Sequence, residues 1–314
     1  MYPLFYGQVV KLIKKILLIN QGLHPRGWSP WGWSPLFVKF AVQFIIMTKF
    51  LKAVRAITAI IRNPWLLNRV LDEDNSWRRS ITKKYNRQDG LPVIRPEEIF
   101  GDFDETISPF AFLDGGSLPT DLVLLKKLAR QIPNCNYFEI GTWRGESVAN
   151  VASIAEHCYT LNLSDDEMHK QGLNQRYIDL HRFYSKNLEN VNHLAGNTLS
   201  FDFQSLNRKF DLVFIDGDHR YEMVKNDTEK VFQHLVHDKS IVVWHDYGRN
   251  PETVRYEVMA GILDGCPKSF HPHLFHVAHT LCAAYIPDLT GGKPLETPVE
   301  PSGAFDIYIR FNQY

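Results

Sequence analysis

Tyr137-Phe-Glu-Ile-Gly-Thr-Trp-Arg-Gly-Glu-Ser147 is a short apolar run that ends in an acid and passes straight into a glycine turn. Beyond it, Glu146-Ser-Val-Ala-Asn-Val-Ala-Ser-Ile-Ala155 has the apolar spacing of a helix packed on a sheet. Strand, glycine turn and helix in this order are where α/β proteins bind nucleotide-like cofactors, because glycine lets backbone approach a ligand closely. A dinucleotide fingerprint starting at Gly141 would need glycines where Trp143 and Glu146 stand. Glu146 at the mouth of the helix would also repel a pyrophosphate. The remaining pattern, Glu139-x-Gly141-x-x-x-Gly145, suits a cofactor whose nearest part carries an ammonium and a sulfonium.

A second segment adds to this. Phe210-Asp-Leu-Val-Phe-Ile-Asp-Gly-Asp-His219 reads as a buried strand running into an acid-rich turn. Tyr221 to Leu235 follows as a helix, and Ser240-Ile-Val-Val-Trp-His-Asp-Tyr247 as another strand that ends in His-Asp. Together the two segments resemble the class I S-adenosylmethionine-dependent methyltransferases. The match is to the O-methyltransferase branch of macrocin-type sugar methyltransferases and cephalosporin-hydroxylase-like proteins, over Leu118 to Asn312. The resemblance implies an α/β, doubly wound, Rossmann-like sheet of seven strands with the last antiparallel.

The elements alternate as that fold requires. Strands are expected at Asn136–Ile140, Cys158–Leu163, Val191–Ala195, Phe210–Ile215 and Ser240–Trp244. Helices are expected at Asp121–Gln131 with Thr120 as N-cap, Glu146–Ala155, Asp166–Lys186, Tyr221–Leu235 and Pro251–Leu263. Two β-rich runs, Leu274–Tyr285 and Ala304–Asn312, end the chain, and the resemblance implies that they pair as the antiparallel edge hairpin.

The 314 residues carry 44% apolar and 22% charged side chains, ordinary for a globular protein. Their zero net charge hides an asymmetry. Residues 1–71 hold ten Lys/Arg and no acid, which leaves 25 of the 35 basic residues against all 35 acidic ones in 72–314. The head contains a tandem Gly-Trp-Ser-Pro repeat at Gly27 and Gly32. No window reaches the roughly 18 to 20 charge-poor apolar residues of a spanning helix. From Met47, Phe50, Leu51, Val54, Ile57, Ile60 and Ile61 recur at helical spacing among Lys49, Lys52, Arg55 and Arg62. Such a helix suits an anionic membrane surface, and equally a lid or a homo-oligomer contact. Met47 is a candidate true start, with 1–46 then not native. Residues 72–117, broken by Gly90, Pro92 and Pro96, read as linker and lid before a catalytic domain at 118–314. Basic residues spaced among aliphatics argue against nucleic acid. Cys135, Cys158, Cys266 and Cys282 form no C-x-x-C pair and read as reduced core thiols of a cytoplasmic protein.

Several residues are candidates for the chemistry. Glu139, Gly141, Thr142 and Gly145 would hold the cofactor at the glycine turn, although Glu139 as a strand-end acid could instead cap the next helix. Relatives place an acid at the end of the second strand to grip the ribose, and here Asn162 stands there. Asn197 stands near the expected adenine, where a simple turn asparagine would look the same. Methyl transfer to oxygen needs a hydroxyl deprotonated and aimed at the sulfonium, which a divalent cation and a histidine can provide. The resemblance implies Mg²⁺ held by Asp216, His245 and Asp246, with His219 as base beside Asp216. Alternatively, Asp216 and Asp218 satisfy loop amides and His219 is an ordinary surface residue. His245 departs from a position that is often acidic, and hard cations prefer oxygen. Tyr247 and the lid would shape the site for a small hydroxylated acceptor such as a sugar. A non-catalytic cofactor-binding protein, anchored through its basic head to a membrane or a partner, is the alternative of a different class. An NAD-dependent oxidoreductase is the other enzyme to weigh, and the missing glycines count against it. His273, His276 and His279 invite a metal reading, but strand alternation would split them between faces.

Overall fold

The computed structural model describes residues 35–66 and 74–313, with side chains from Thr48 onward, Trp65 excepted. The expectations for residues 1–34, including most of the Gly-Trp-Ser-Pro repeat, and for 67–71 lie outside the described residues. The chain divides into two compact units, Met1–Asp72 and Glu73–Tyr314.

In the first unit, α1 (Pro35–Arg62) starts on a proline, whose missing N–H and fixed φ suit a first helical turn. It stops before Pro64, which opens a single 3₁₀ turn.

The second unit begins with α2 (Asp74–Tyr85), β1 (Val93–Ile94) and α3 (Pro96–Phe100). The alternating core follows: α4 (Pro119–Arg130), β2 (Asn136–Ile140), α5 (Glu146–Ala152), β3 (His157–Asn162), α6 (Asp165–Lys170) and α7 (Gln175–Asp179). It continues through β4 (Val191–Ala195), β5 (Leu212–Ile215), α8 (Tyr221–Lys230) and β6 (Ile241–Trp244). A small ribbon of β7 (Gly248–Asn250) and β8 (Thr253–Val254), then α9 (Tyr256–Gly265), β9 (Leu274–Val277) and β10 (Ala283–Tyr285), complete it.

The main sheet has eight strands in the order β1-β9-β10-β6-β5-β2-β3-β4. The pairs from β4 to β6 are parallel, and β10 runs antiparallel to both neighbours. This is the expected doubly wound sheet with its last strand reversed, and β1 adds an eighth strand at the edge. The order changes direction between β2 and β5, and that switch point opens a crevice at the strands' C-terminal ends.

Alternation divides the core in two. Tyr137, Leu212, Phe214 and Val243 face one buried layer with Leu124, Leu125 and Leu128 of α4. Phe138, Val213, Val242 and Trp244 face the other with Val224 of α8 and Met259 and Ile262 of α9. Burial on both faces explains why these strands read as continuous apolar runs.

Five expectations change. The stretch read as linker and lid is part of the body: Ile81 and Leu91 enter the core, and β1 pairs in parallel with β9 as an eighth strand. The edge hairpin lies wholly within Leu274–Tyr285, because Thr280 closes a tight turn through its hydroxyl on the Val277 carbonyl. Ala304–Asn312 forms no strand, and its Ile307, Tyr308 and Phe311 are exposed. The helix expected over Asp166–Lys186 is two short ones, since Gly172 takes a left-handed φ of 84° and Asn174 caps a new start at Tyr177 N. The helix expected from Pro251 begins only at Tyr256, after the β7–β8 ribbon. Thr120 is not a cap either. Leu118 holds that position, its N–H donating to Asp121 at 2.7 Å, while the Thr120 hydroxyl donates to the His279 carbonyl.

Candidate active site

The glycine turn leaves β2 at the switch point. Gly141 has a φ of 89° and Gly145 one of 82°, in the region that favours glycine. A Cβ on Gly141 would sit 2.1 Å from the Asp216 carbonyl oxygen, and one on Gly145 would sit 2.4 Å from Ser185 Oγ. Packing against the protein itself therefore already requires both glycines.

Glu139 lies beneath this turn, wholly buried. It accepts from the Tyr137 hydroxyl at 2.7 Å and the Thr142 hydroxyl at 3.2 Å, and the Ser147 side chain also bonds to it. Burial pushes its carboxyl up to about 7, although these hydroxyls oppose the rise. It caps no helix. It ties the two sides of the glycine turn together from below.

Across the crevice, the ends of β5 and β6 bring Asp216, His245 and Asp246 together. One ligating atom from each lies within 4.8 Å of the others. They line a small solvent-open cleft with Gly217, Asp218 and His219. His245 is almost fully buried and lies among three carboxylates. Its Nε2 is 3.1 Å from Asp121 Oδ2, and its Nδ1 is 3.0 Å from Asp216 Oδ1 and 3.8 Å from Asp246 Oδ2. The Nδ1 contacts are charge contacts only, since this nitrogen has no hydrogen-bond partner. Burial alone would lower the imidazole's pKa. Asp216, Asp121 and Asp246 outweigh it and hold the ring well above its ordinary value.

Asp121 fixes the ring's direction. Its carboxylate accepts from Leu118 N at 2.7 Å and Leu281 N at 2.8 Å, so it is an acceptor and His245 Nε2 must be the donor. That leaves Nδ1 facing Asp216 and Asp246 (φ 57°), and Asp246 is also paired to Arg255 at 3.1 Å. Burial would raise the Asp246 carboxyl, but His245, Arg255 and His219 bring it down to about 2. Once a cation displaces the proton that the raised pKa keeps on the ring, Nδ1 and the two carboxylates form a donor set that fits a divalent metal. A mixed imidazole and carboxylate set suits a transition metal at least as well as Mg²⁺.

The other expected residues are placed as follows. His219 is half exposed at the cleft's rim, its Nδ1 3.8 Å from Asp246 Oδ2. Asp218 is engaged by the Arg220 guanidinium. Asn162 ends β3, on the opposite side of β2 from β5. The Asn197 side chain accepts from Leu199 N at 3.0 Å, the simple turn role. Trp143 stacks on Tyr177 at 4.1 Å and meets His181 edge-on. Tyr247 does not shape an acceptor site: it is fully buried, and its hydroxyl accepts from Leu91 N. His273, His276 and His279 form no metal cluster among the described residues, where Asp216, His245 and Asp246 make the one such group. All four cysteines are free and buried. The sequence reading missed Asp121 and Arg255. Asp121 has the look of an ordinary first-turn acid of a helix, and Arg255 of a surface cation.

Residues 138–247 match the family model described as a methyltransferase domain. That span holds the glycine turn, Asp216 and the His245–Asp246 pair. Among curated proteins, none matches the sequence. Solved structures with similarity include cofactor-bound Rv0187 from MTB (19% identity, 56% of this chain, 84% of that one, TM-score 0.39). An O-methyltransferase from Bacillus cereus in complex with SAH shares 16% identity over 72% of this chain and 97% of its own, with a TM-score of 0.37. The tomaymycin-synthesis O-methyltransferase of Streptomyces achromogenes, in complex with SAM, shares 17% over 54% and 78%, at 0.34. At these scores none of the three carries an inference about activity. Sheet order and glycine turn agree with the family match, and residues 138–247 carry a methyltransferase domain.

Proposed function

We propose that the protein methylates an oxygen of a small hydroxylated acceptor, such as a sugar, with Asp216, His245 and Asp246 able to hold a divalent cation. The observation that carries this is the buried, hydrogen-bond-free Nδ1 of His245, facing two carboxylates beside the glycine turn. S-adenosylmethionine, bound across the switch point, would supply the electrophilic methyl group. A divalent cation there would lower the acceptor hydroxyl's pKa and orient it.

The chain's own residues account for the rest. Glu139, Thr142 and Ser147 keep the glycine turn in one shape, so the cofactor meets a preorganised surface. Asn162, at the end of β3, would bond the ribose. Asp121 holds His245 so that only Nδ1 faces the cleft. His219, at the rim, is the group that takes the acceptor's proton.

Titration calorimetry with S-adenosylhomocysteine, with and without Mg²⁺ or Mn²⁺, tests this reading. Binding that tightens with either cation is expected, as is loss of methyl transfer in His219→Ala and Asp246→Ala proteins. Absence of binding under every condition would overturn the cofactor assignment. Full activity of both variants, unaffected by chelator, would overturn the acid–base and metal roles.

A further inference from the structure

The basic head is outside the chemistry described above, yet α1 has a definite surface. Its Phe50, Val54, Ile57 and Ile61 recur at steps of four, three and four residues, which places them in one stripe along the helix. All four are exposed, Phe50 at 66% and Ile61 at 74%, and Leu51 beside them at 49%. Lys52, Arg55 and Arg62 project from the other side of the helix, and α1 contains no acid. An exposed apolar stripe backed by unmixed positive charge calls for a partner that is apolar within and anionic at its surface.

Three partners can be compared on these grounds. A spanning role fails, because no helix among the described residues is long and apolar enough to cross a membrane. A second copy could meet the stripe as a coiled coil, whose seam has the same spacing. Its flanking positions would be Leu51, Ala53, Thr58 and Ile60, so a coiled coil would leave Lys52, Arg55 and Arg62 on its outer face with no part in the contact. An anionic bilayer surface complements both features at once. The stripe enters the acyl boundary while the cations stay among the headgroups.

We propose that α1 is a membrane-surface anchor whose partner is an anionic lipid bilayer. The helix lies in the plane of the interface with Phe50, Val54, Ile57 and Ile61 facing down. This stands independently of the methyl-transfer reading.

Flotation of the full chain with phosphatidylcholine vesicles, with and without phosphatidylserine, tests it. Flotation is expected only with phosphatidylserine, and it should weaken with added salt. A Lys52→Ala/Arg55→Ala protein should partition about 25-fold less, at about fivefold per cation. A Phe50→Ala/Ile57→Ala protein should lose about tenfold per side chain. Thermal unfolding of each variant shows whether the body is still folded. Failure of the full chain to float, or equal flotation on neutral vesicles, would overturn the proposal. So would variants that match the parent. Light scattering showing a dimer that the stripe variant dissolves would assign the stripe to a second copy instead.

Discussion

Replacing Glu139 with Gln should remove a specific part of the protein's pH dependence. Glu139 is fully buried, and its carboxyl is raised from an ordinary 4.5 to about 7. Below pH 4.5 the group is protonated in both the folded and the unfolded chain, and it imposes no penalty. As pH rises, the unfolded chain ionises first, and the fold loses stability until the buried group also ionises near 7. The gap of about 2.5 units, at about 1.36 kcal/mol per unit, corresponds to roughly 3 kcal/mol. In the Glu139→Gln protein the side chain would stay neutral throughout. Its amide can still meet the Tyr137, Thr142 and Ser147 hydroxyls, since hydroxyls both donate and accept. Urea unfolding of both proteins from pH 4 to pH 8 should therefore show their stability difference moving by about 3 kcal/mol in favour of the variant. Subtraction cancels every other titrating group, His276 included. A difference that stays constant across that range would refute the burial argument. One that moved in the opposite sense would show that Glu139 ionises readily in the folded protein.

Asp121→Ala should destabilise the protein by about 3 to 5 kcal/mol, because it strips a buried partner from His245 and orphans two backbone N–H groups. Urea unfolding measures this, and a loss under about 1 kcal/mol would show that water replaces the carboxylate. Gly141→Ala should cost about 3 kcal/mol or more, combining left-handed strain with a Cβ placed 2.1 Å from the Asp216 carbonyl. Gly101→Ala, where a Cβ would meet nothing within 4 Å, should cost only about 1 to 2 kcal/mol for its φ of 77°. Equal losses at the two positions, read by thermal unfolding, would show that backbone strain alone decides the cost.

Much of the catalytic unit could be read along the chain. Continuous apolar runs such as Leu212-Val-Phe-Ile215 mark strands covered on both faces. The glycine turn after one of them marks the switch point, and these are local patterns that period and turn chemistry express directly. Strand ends at Ile215 and Trp244 also placed Asp216, His245 and Asp246 at one sheet edge, because neighbouring parallel strands end side by side. Helix ends were less legible where a single Gly172 or a ribbon after Tyr247 interrupted an otherwise helical spacing.

Other features arise only from residues far apart in the chain. Asp121 meets His245 across 124 positions, and nothing near either residue marks the pair. Tyr247, expected to face an acceptor, is buried because Leu91 of the preceding segment folds over it and donates to its hydroxyl. The same segment supplies β1, whose two residues are too short to register as a strand until β9 lies beside them. Local propensity is written residue by residue. Which atom a buried side chain faces depends on where distant backbone comes to rest, and there the packed core decides.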